Sequence, residues 1–151
     1  MASNVIYGHY SDGRSFGQAQ AGHLVSNGIA ITRPCVDASI TVAAENTNVR
    51  AITISLKDAN GVAIDYVETV EILVFTDATM VAFASTGGST GLAIGTDGAL
   101  LAVVAKKYFL ATSETTGSID LTWTDTGTET VAVGVRLPNG RVVVSSAFAN
   151  T

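Results

Sequence analysis

Short runs in which apolar and polar side chains alternate fill the chain after about Ser39. In one of these runs Ile52, Ile54 and Leu56 fall on a single face, which is the period of a half-buried β-strand. Similar runs recur roughly every 8–12 residues, separated by turn residues, and no segment of about 11–18 residues carries a helical apolar period. The pattern predicts an all-β sandwich or small barrel of about seven to nine strands over residues 39–151.

Two strands of this domain carry the clearest predictions. The run from Val131 to Leu137 alternates and then meets Pro138-Asn139-Gly140, which predicts a hairpin whose second strand returns from Arg141 to Phe148. In a second strand, Trp123 shares a face with Ile119 and Leu121, which favours a place in the core over an exposed platform for stacking sugars.

The N-terminal segment, residues 1–38, has a different pattern. It shows no sustained alternation and no helical stripe, and glycines interrupt it at short intervals, which predicts an extended arm that is costly to order alone. Arg14 and Arg33 balance Asp12 and Asp37, so the whole net charge of −5 belongs to residues 39–151. We therefore expect two parts, an arm over 1–38 and a β domain over 39–151.

Composition narrows the classes of partner. Charged residues make up only 14% of the chain, against about 25% in an average domain, so the surface suits permanent contact with other proteins. The net negative charge repels phosphates, and we expect neither a nucleic-acid nor a membrane partner. The apolar run from Ala99 to Ala105, which ends in Lys106-Lys107, is far shorter than the roughly 20 residues of a bilayer span. The single cysteine, Cys35, cannot form an internal disulfide, so the fold is compatible with assembly in a reducing cytoplasm. The first residues lack the basic and apolar regions of a signal peptide, and we expect none there.

Candidate chemistry is sparse. The histidines, His9 and His23, both lie in the arm, where no scaffold would hold a catalytic group, so we expect no enzyme activity, no metal and no cofactor. Asp58 and Asp97 resemble fragments of calcium loops but lack the further oxygen ligands, and we interpret both as turn residues. The segment from Thr86 to Gly91 lacks the lysine of a phosphate-binding loop and predicts a flexible loop.

The arm offers the candidate binding site. It contains aromatic residues and arginines, which are types enriched at protein interfaces. The alternative interpretation is a segment folded back onto its own domain. We hypothesise a protein-docking site formed by Tyr7, Tyr10, Arg14, Phe16 and Arg33.

Three segments carry a family resemblance: Val49 to Gly61, Ile94 to Leu100, and Val135 to Ser145. In order and spacing they resemble a module of virion structural proteins of tailed bacteriophages, over roughly residues 40–148. The resemblance implies an Ig-like β-sandwich or small β-barrel and a structural role, and it brings no catalytic residues.

Among such proteins, the resemblance is greatest to head decoration (cement) proteins. Such a protein binds the major capsid protein on the outer surface of the head. An extended arm of about 38 residues could reach roughly 120 Å, far enough to contact neighbouring subunits. We therefore hypothesise a homo-oligomer, with a trimer favoured over a dimer. Two other hypotheses remain: a receptor-binding or carbohydrate-binding domain at a fibre or tail tip, with exposed aromatic residues near Gly87 or Tyr66, and a neck or tail structural subunit.

Overall fold

The computed structural model describes residues 34–151 and, before them, the backbone of four short strands. The chain divides into two compact units, Met1–Pro34 and Cys35–Thr151. In the first unit, β1 (Gly8–His9) pairs antiparallel with β2 (Ser15–Phe16), and β3 (Leu24–Ser26) pairs antiparallel with β4 (Ile29–Ile31). The rest of the predicted arm, up to residue 33, lies outside the described residues.

The second unit consists of β-strands, and residues 34–151 contain no helix, which confirms the predicted all-β class. The strands are β5 (Asp37–Val42), β6 (Val49–Lys57), β7 (Thr69–Phe75), β8 (Gly91–Ile94), β9 (Ala99–Val104), β10 (Tyr108–Thr112), β11 (Ser118–Thr124), β12 (Ala132–Arg136) and β13 (Val142–Val144). They form a four-stranded sheet in the order β5-β6-β11-β8 and a five-stranded sheet in the order β13-β12-β7-β10-β9, both antiparallel. Neither of these sheets closes on itself, so the unit is a sandwich of nine strands and not a barrel.

Both sheets contribute to one apolar core. Ile52, Ile54 and Leu56 of β6 are fully buried, as their alternation predicts, and Trp123 of β11 is equally inaccessible. The other sheet supplies the facing side chains from β7, β10 and β12, namely Val70, Ile72, Val74, Phe109, Ala111, Val133 and Val135. The core is therefore the interior of the sandwich, and the alternation of each strand fixes which face is buried.

The strand order reproduces much of the immunoglobulin arrangement. If β5, β6, β8 and β11 take the places of strands A, B, D and E, and β7, β12 and β13 those of C, F and G, the neighbours in both sheets agree with that fold. The chain departs from it at β9 and β10, which follow β8 in sequence but extend the other sheet beside β7. As a result, β9 is an edge strand of the five-stranded sheet and pairs only with β10 in the described chain.

The last hairpin forms as predicted, and it closes one side of the sandwich. Its second strand is shorter than the predicted Arg141 to Phe148, because β13 ends at Val144 and Phe148 forms only an isolated bridge with Val131. The Leu137 N–H donates to the Arg141 carbonyl at 2.8 Å across the turn, where Gly140 has a φ of 85° that favours glycine. The Arg141 guanidinium lies 3.1 Å from the Asp37 carboxylate at the start of β5. This ion pair joins the edge strand of one sheet to the hairpin of the other.

The outer face of the five-stranded sheet is partly covered by the connection that follows β7. Phe83 in that connection stacks on Phe75, with ring centroids 5.7 Å apart and planes 6° from parallel. A Cβ on Gly134 would lie 2.7 Å from the Phe75 ring, so only glycine fits beneath it on β12. Phe75 is only 8% exposed, so β7 is covered on both of its faces at this end.

Candidate interaction surface

The five residues proposed from the sequence as a docking site belong to the N-terminal unit. Tyr7, Tyr10, Arg14 and Arg33 lie outside the described residues, and Phe16 is described only through the backbone of β2. The hypothesis of an interface in the arm therefore stays a prediction.

Within residues 34–151, the largest apolar exposure along a single strand belongs to β9. Its sequence is Ala-Leu-Leu-Ala-Val-Val, and all of its residues except the half-buried Leu100 are exposed. Leu101 is 64% exposed, Val103 51% and Val104 50%. Because a sheet normally turns one apolar face inward, a strand that exposes such residues along most of its length lacks a covering layer.

β9 is also an edge. It pairs with β10 on one side, and no strand of the described chain pairs with it on the other, so every second residue directs its N–H and C=O groups outward. The register with β10 shifts between Tyr108 and Phe109, near the end of β9, and the pairing is regular over residues 99–102. The strand lacks both charged residues and proline, which proteins commonly use to prevent an edge strand from pairing with another chain.

The apolar character continues onto the outer face of the sheet. Leu101 lies opposite Leu110 of β10, which is 36% exposed, and Leu110 in turn lies opposite Glu71 of β7. Glu71 forms an ion pair with Arg136 of β12 at 3.2 Å, and a shallow groove of about 250 Å³ runs beside it. The surface is therefore apolar at the edge and becomes charged toward the middle of the sheet. We call β9 together with Leu110 the apolar edge.

Opposite charges flank the apolar edge. Asp97 lies in the turn before β9. Glu114, in the turn between β10 and β11, has a carboxylate that accepts the N–H of Gly98, the residue after Asp97, at 3.2 Å. After β9 come Lys106 and Lys107, and Lys106 donates to the Ser89 carbonyl at 2.6 Å. One end of the strand is thus acidic and the other basic.

The loop over residues 86–91, predicted from the sequence to be flexible, has a defined anchor. The Glu129 carboxylate accepts the Thr86 N–H at 2.8 Å, the Thr86 hydroxyl, and the Gly88 N–H at 2.9 Å. Burial of this carboxyl raises its pKa, but the hydrogen bonds from Thr86, Gly88 and Gly87 outweigh that effect, so the pKa lies below its ordinary value. Nothing in the sequence pattern indicated this long-range partner, because Glu129 stands in an ordinary turn between two strands.

Trp123 lies in the core beneath this loop, as predicted. It is fully buried, and its ring meets Phe148 edge to face at a centroid distance of 5.3 Å. A Cβ on Gly88 would lie 2.9 Å from Nε1, and that N–H has no hydrogen-bond partner among residues 34–151. The residue is therefore structural and presents no face to a sugar.

The remaining polar candidates occupy structural positions. Asp58 Oδ1 accepts the N–H groups of Asn60 and Val62, each at 2.9 Å, which confirms its interpretation as a turn residue. Tyr66 is half-buried and its hydroxyl accepts the Cys35 N–H at 2.9 Å. Burial raises the pKa of the Cys35 thiol. In residues 34–151 no group of three or more histidine, cysteine, aspartate or glutamate side chains is placed to hold a metal ion.

The sequence contains one local signal for the apolar edge. An uncharged run from Ala99, bounded by a turn before it and two lysines after it, is short enough for one strand and too apolar for a solvated one. Position at the end of a sheet is set by strand order, which the sequence pattern does not specify. The part of the chain that the structure describes contains no helix long and apolar enough to cross a membrane.

Comparison with known proteins finds no family model that matches the chain, and no curated protein or solved structure that matches it.

Proposed function

We propose that the chain is a non-enzymatic structural protein that acts by assembling with other protein subunits. The observation that carries this proposal is the apolar edge: Leu101, Val103 and Val104 are at least half exposed on an unpaired strand of a well-packed sandwich. Exposed apolar surface on a strand edge favours contact with another protein chain.

The specific form we propose is a head decoration (cement) protein of a tailed bacteriophage, bound to the major capsid protein on the outer surface of the virion. The support is the sequence resemblance, whose three segments correspond here to β6 with the turn after it, the turn between β8 and β9, and the β12–β13 hairpin. The low content of charged residues, 14%, agrees with a subunit that is in permanent contact with other proteins.

In this proposal the two units have different roles. The N-terminal unit, with Tyr7, Tyr10, Arg14, Phe16 and Arg33, contacts capsid subunits, while the sandwich is the rigid body that it attaches. Several weak contacts of this kind combine by avidity when copies associate with one another, as a trimer or a dimer.

Cryo-electron microscopy of the intact particle tests the location. Density for the nine-stranded sandwich on the outer head surface is the expected result. Density at the neck, the tail or a fibre tip would overturn the decoration role and support one of the other virion roles.

A binding assay tests the role of the arm. Purified empty shells are mixed with the full chain, with a variant lacking residues 1–30, and with a variant in which Tyr7, Tyr10 and Phe16 are replaced by alanine. We expect both altered proteins to keep the circular dichroism of the β domain and to lose co-sedimentation with the shells. A truncated protein that still decorates shells would refute the arm's role, and saturable binding on a glycan array would favour the receptor-binding alternative.

A further inference from the structure

We infer that the apolar edge is the contact between two copies of this chain, with β9 of one copy pairing antiparallel with β9 of the other. The inference deepens the proposed function by assigning one surface to self-association, and it needs no capsid for its test.

The backbone supplies the first argument. The outward N–H and C=O groups of β9 face no other strand of the described chain, and antiparallel addition of a strand satisfies such groups in the manner of an interior sheet pair. Joining two copies here places the two five-stranded sheets side by side as one continuous sheet. The regular pairing of residues 99–102 with β10 leaves the first part of the edge straight enough for this addition.

The side chains supply the second argument. Leu101 and Val103 stand on the strand with half or more of their surface exposed, and Leu110 extends the apolar surface inward. Across an antiparallel pair, opposite side chains approach within about 5 Å, so apolar residues from the two copies cover each other. No charged residue within Ala99–Val104 opposes this contact.

The third argument is charge, and it selects a second copy and an antiparallel orientation. A two-fold axis near Ala102 sets the Asp97 end of each strand beside the Lys107 end of the other. Within residues 34–151 neither of these side chains has an ion-pair partner. A parallel arrangement would instead place aspartate beside aspartate and lysine beside lysine. The charges that flank β9 are therefore complementary to those of a second copy in the antiparallel orientation.

Sedimentation equilibrium of the full chain over a range of concentrations tests the inference. We expect a reversible monomer–dimer equilibrium for the unaltered chain, and an increase of about tenfold or more in the dissociation constant for Leu101→Lys, because the two-fold axis brings both added charges together. Val81→Lys is the matched control, since Val81 is 86% exposed and belongs to the connection between β7 and β8, outside the apolar edge as defined. Circular dichroism of each variant shows whether it is folded.

Charge reversal tests the orientation. Asp97→Lys and Lys107→Asp each place like charges together and should weaken the dimer. An equimolar mixture of the two single variants should form a heterodimer as strong as the unaltered dimer, because each strand end then meets its opposite. The double variant should likewise recover self-association.

Three results would overturn the inference: a monomer at all accessible concentrations, a trimer that persists in Leu101→Lys, or single charge variants that do not recover on mixing. A chain that does not dimerise but still co-sediments with shells would refute this contact and leave the proposed function standing. Loss of shell binding with an intact dimer removes the proposed function without touching this contact.

Discussion

Replacing Glu129 with glutamine should loosen the loop over residues 86–91 and lower the stability of the sandwich. One carboxylate oxygen accepts the Thr86 N–H, and the other accepts the Thr86 hydroxyl and the Gly88 N–H. A glutamine has one carbonyl oxygen and one NH₂ group, so in either orientation a donor faces a donor.

The expected loss follows from these contacts. Hydrogen bonds to a charged group are worth roughly 1.5–3 kcal/mol each, but the carboxylate is only half-buried and water replaces part of what is lost. We expect a decrease of about 1–2 kcal/mol in the free energy of unfolding at pH 7. Glu114→Gln is the matched control, since that carboxylate accepts one exposed N–H, from Gly98, and its replacement should change stability by less than about 0.5 kcal/mol.

The effect should also depend on pH in a defined direction. The pKa of Glu129 is lower in the folded protein than its ordinary value of 4.5, so its contribution is complete above that value and is lost as the pH falls through the folded pKa. Urea denaturation followed by circular dichroism should therefore show a difference between the unaltered chain and Glu129→Gln that is larger at pH 7 than at pH 3. Equal differences at the two pH values, or a difference at pH 7 no larger than that of the control, would refute the reasoning.

Two further substitutions test contacts that stabilise the sandwich outside the apolar edge. Asn150→Ala should destabilise the sandwich by about 2 kcal/mol in urea denaturation, because the buried Asn150 amide donates to the Asn48 and Asp125 carbonyls at 2.7 and 2.9 Å; an unchanged midpoint would contradict this. Gly134→Ala should cost about 1–3 kcal/mol, since its Cβ would meet the Phe75 ring, and Phe75→Leu in the same chain should recover part of the loss in a double-mutant cycle. Strict additivity of the two changes would show that the ring contact is not the cause.

The strands themselves were predictable from the sequence because each one carries its burial pattern locally. The alternation at Ile52, Ile54 and Leu56 and the Pro138-Asn139-Gly140 turn are properties of neighbouring residues, and both appear in the structure as expected. The placement of Trp123 in the core followed from the same two-residue period.

The apolar edge was not predictable in this way. Ala99–Val104 has the composition of a strand buried on both faces, and only the order of strands in the sheet leaves it at the margin. The anchor of the 86–91 loop depends on Glu129, 43 residues from Thr86, and no local pattern joins them. Properties that depend on which segments meet across the fold are therefore the ones that the sequence pattern left open.

Trp123 is the only tryptophan of the chain, and its position makes it a natural optical reporter. Its indole is shielded from water, and it touches Phe148 in the C-terminal segment and lies under Gly88 in the loop. The intrinsic fluorescence of the protein therefore originates at one point where three segments converge, and its emission in the native state should be shifted to the blue. Because Phe148 covers the indole, we expect detachment of the last residues alone to shift the emission maximum to longer wavelength while the sheets remain together. Fluorescence therefore reports fraying of the C-terminal end separately from global unfolding.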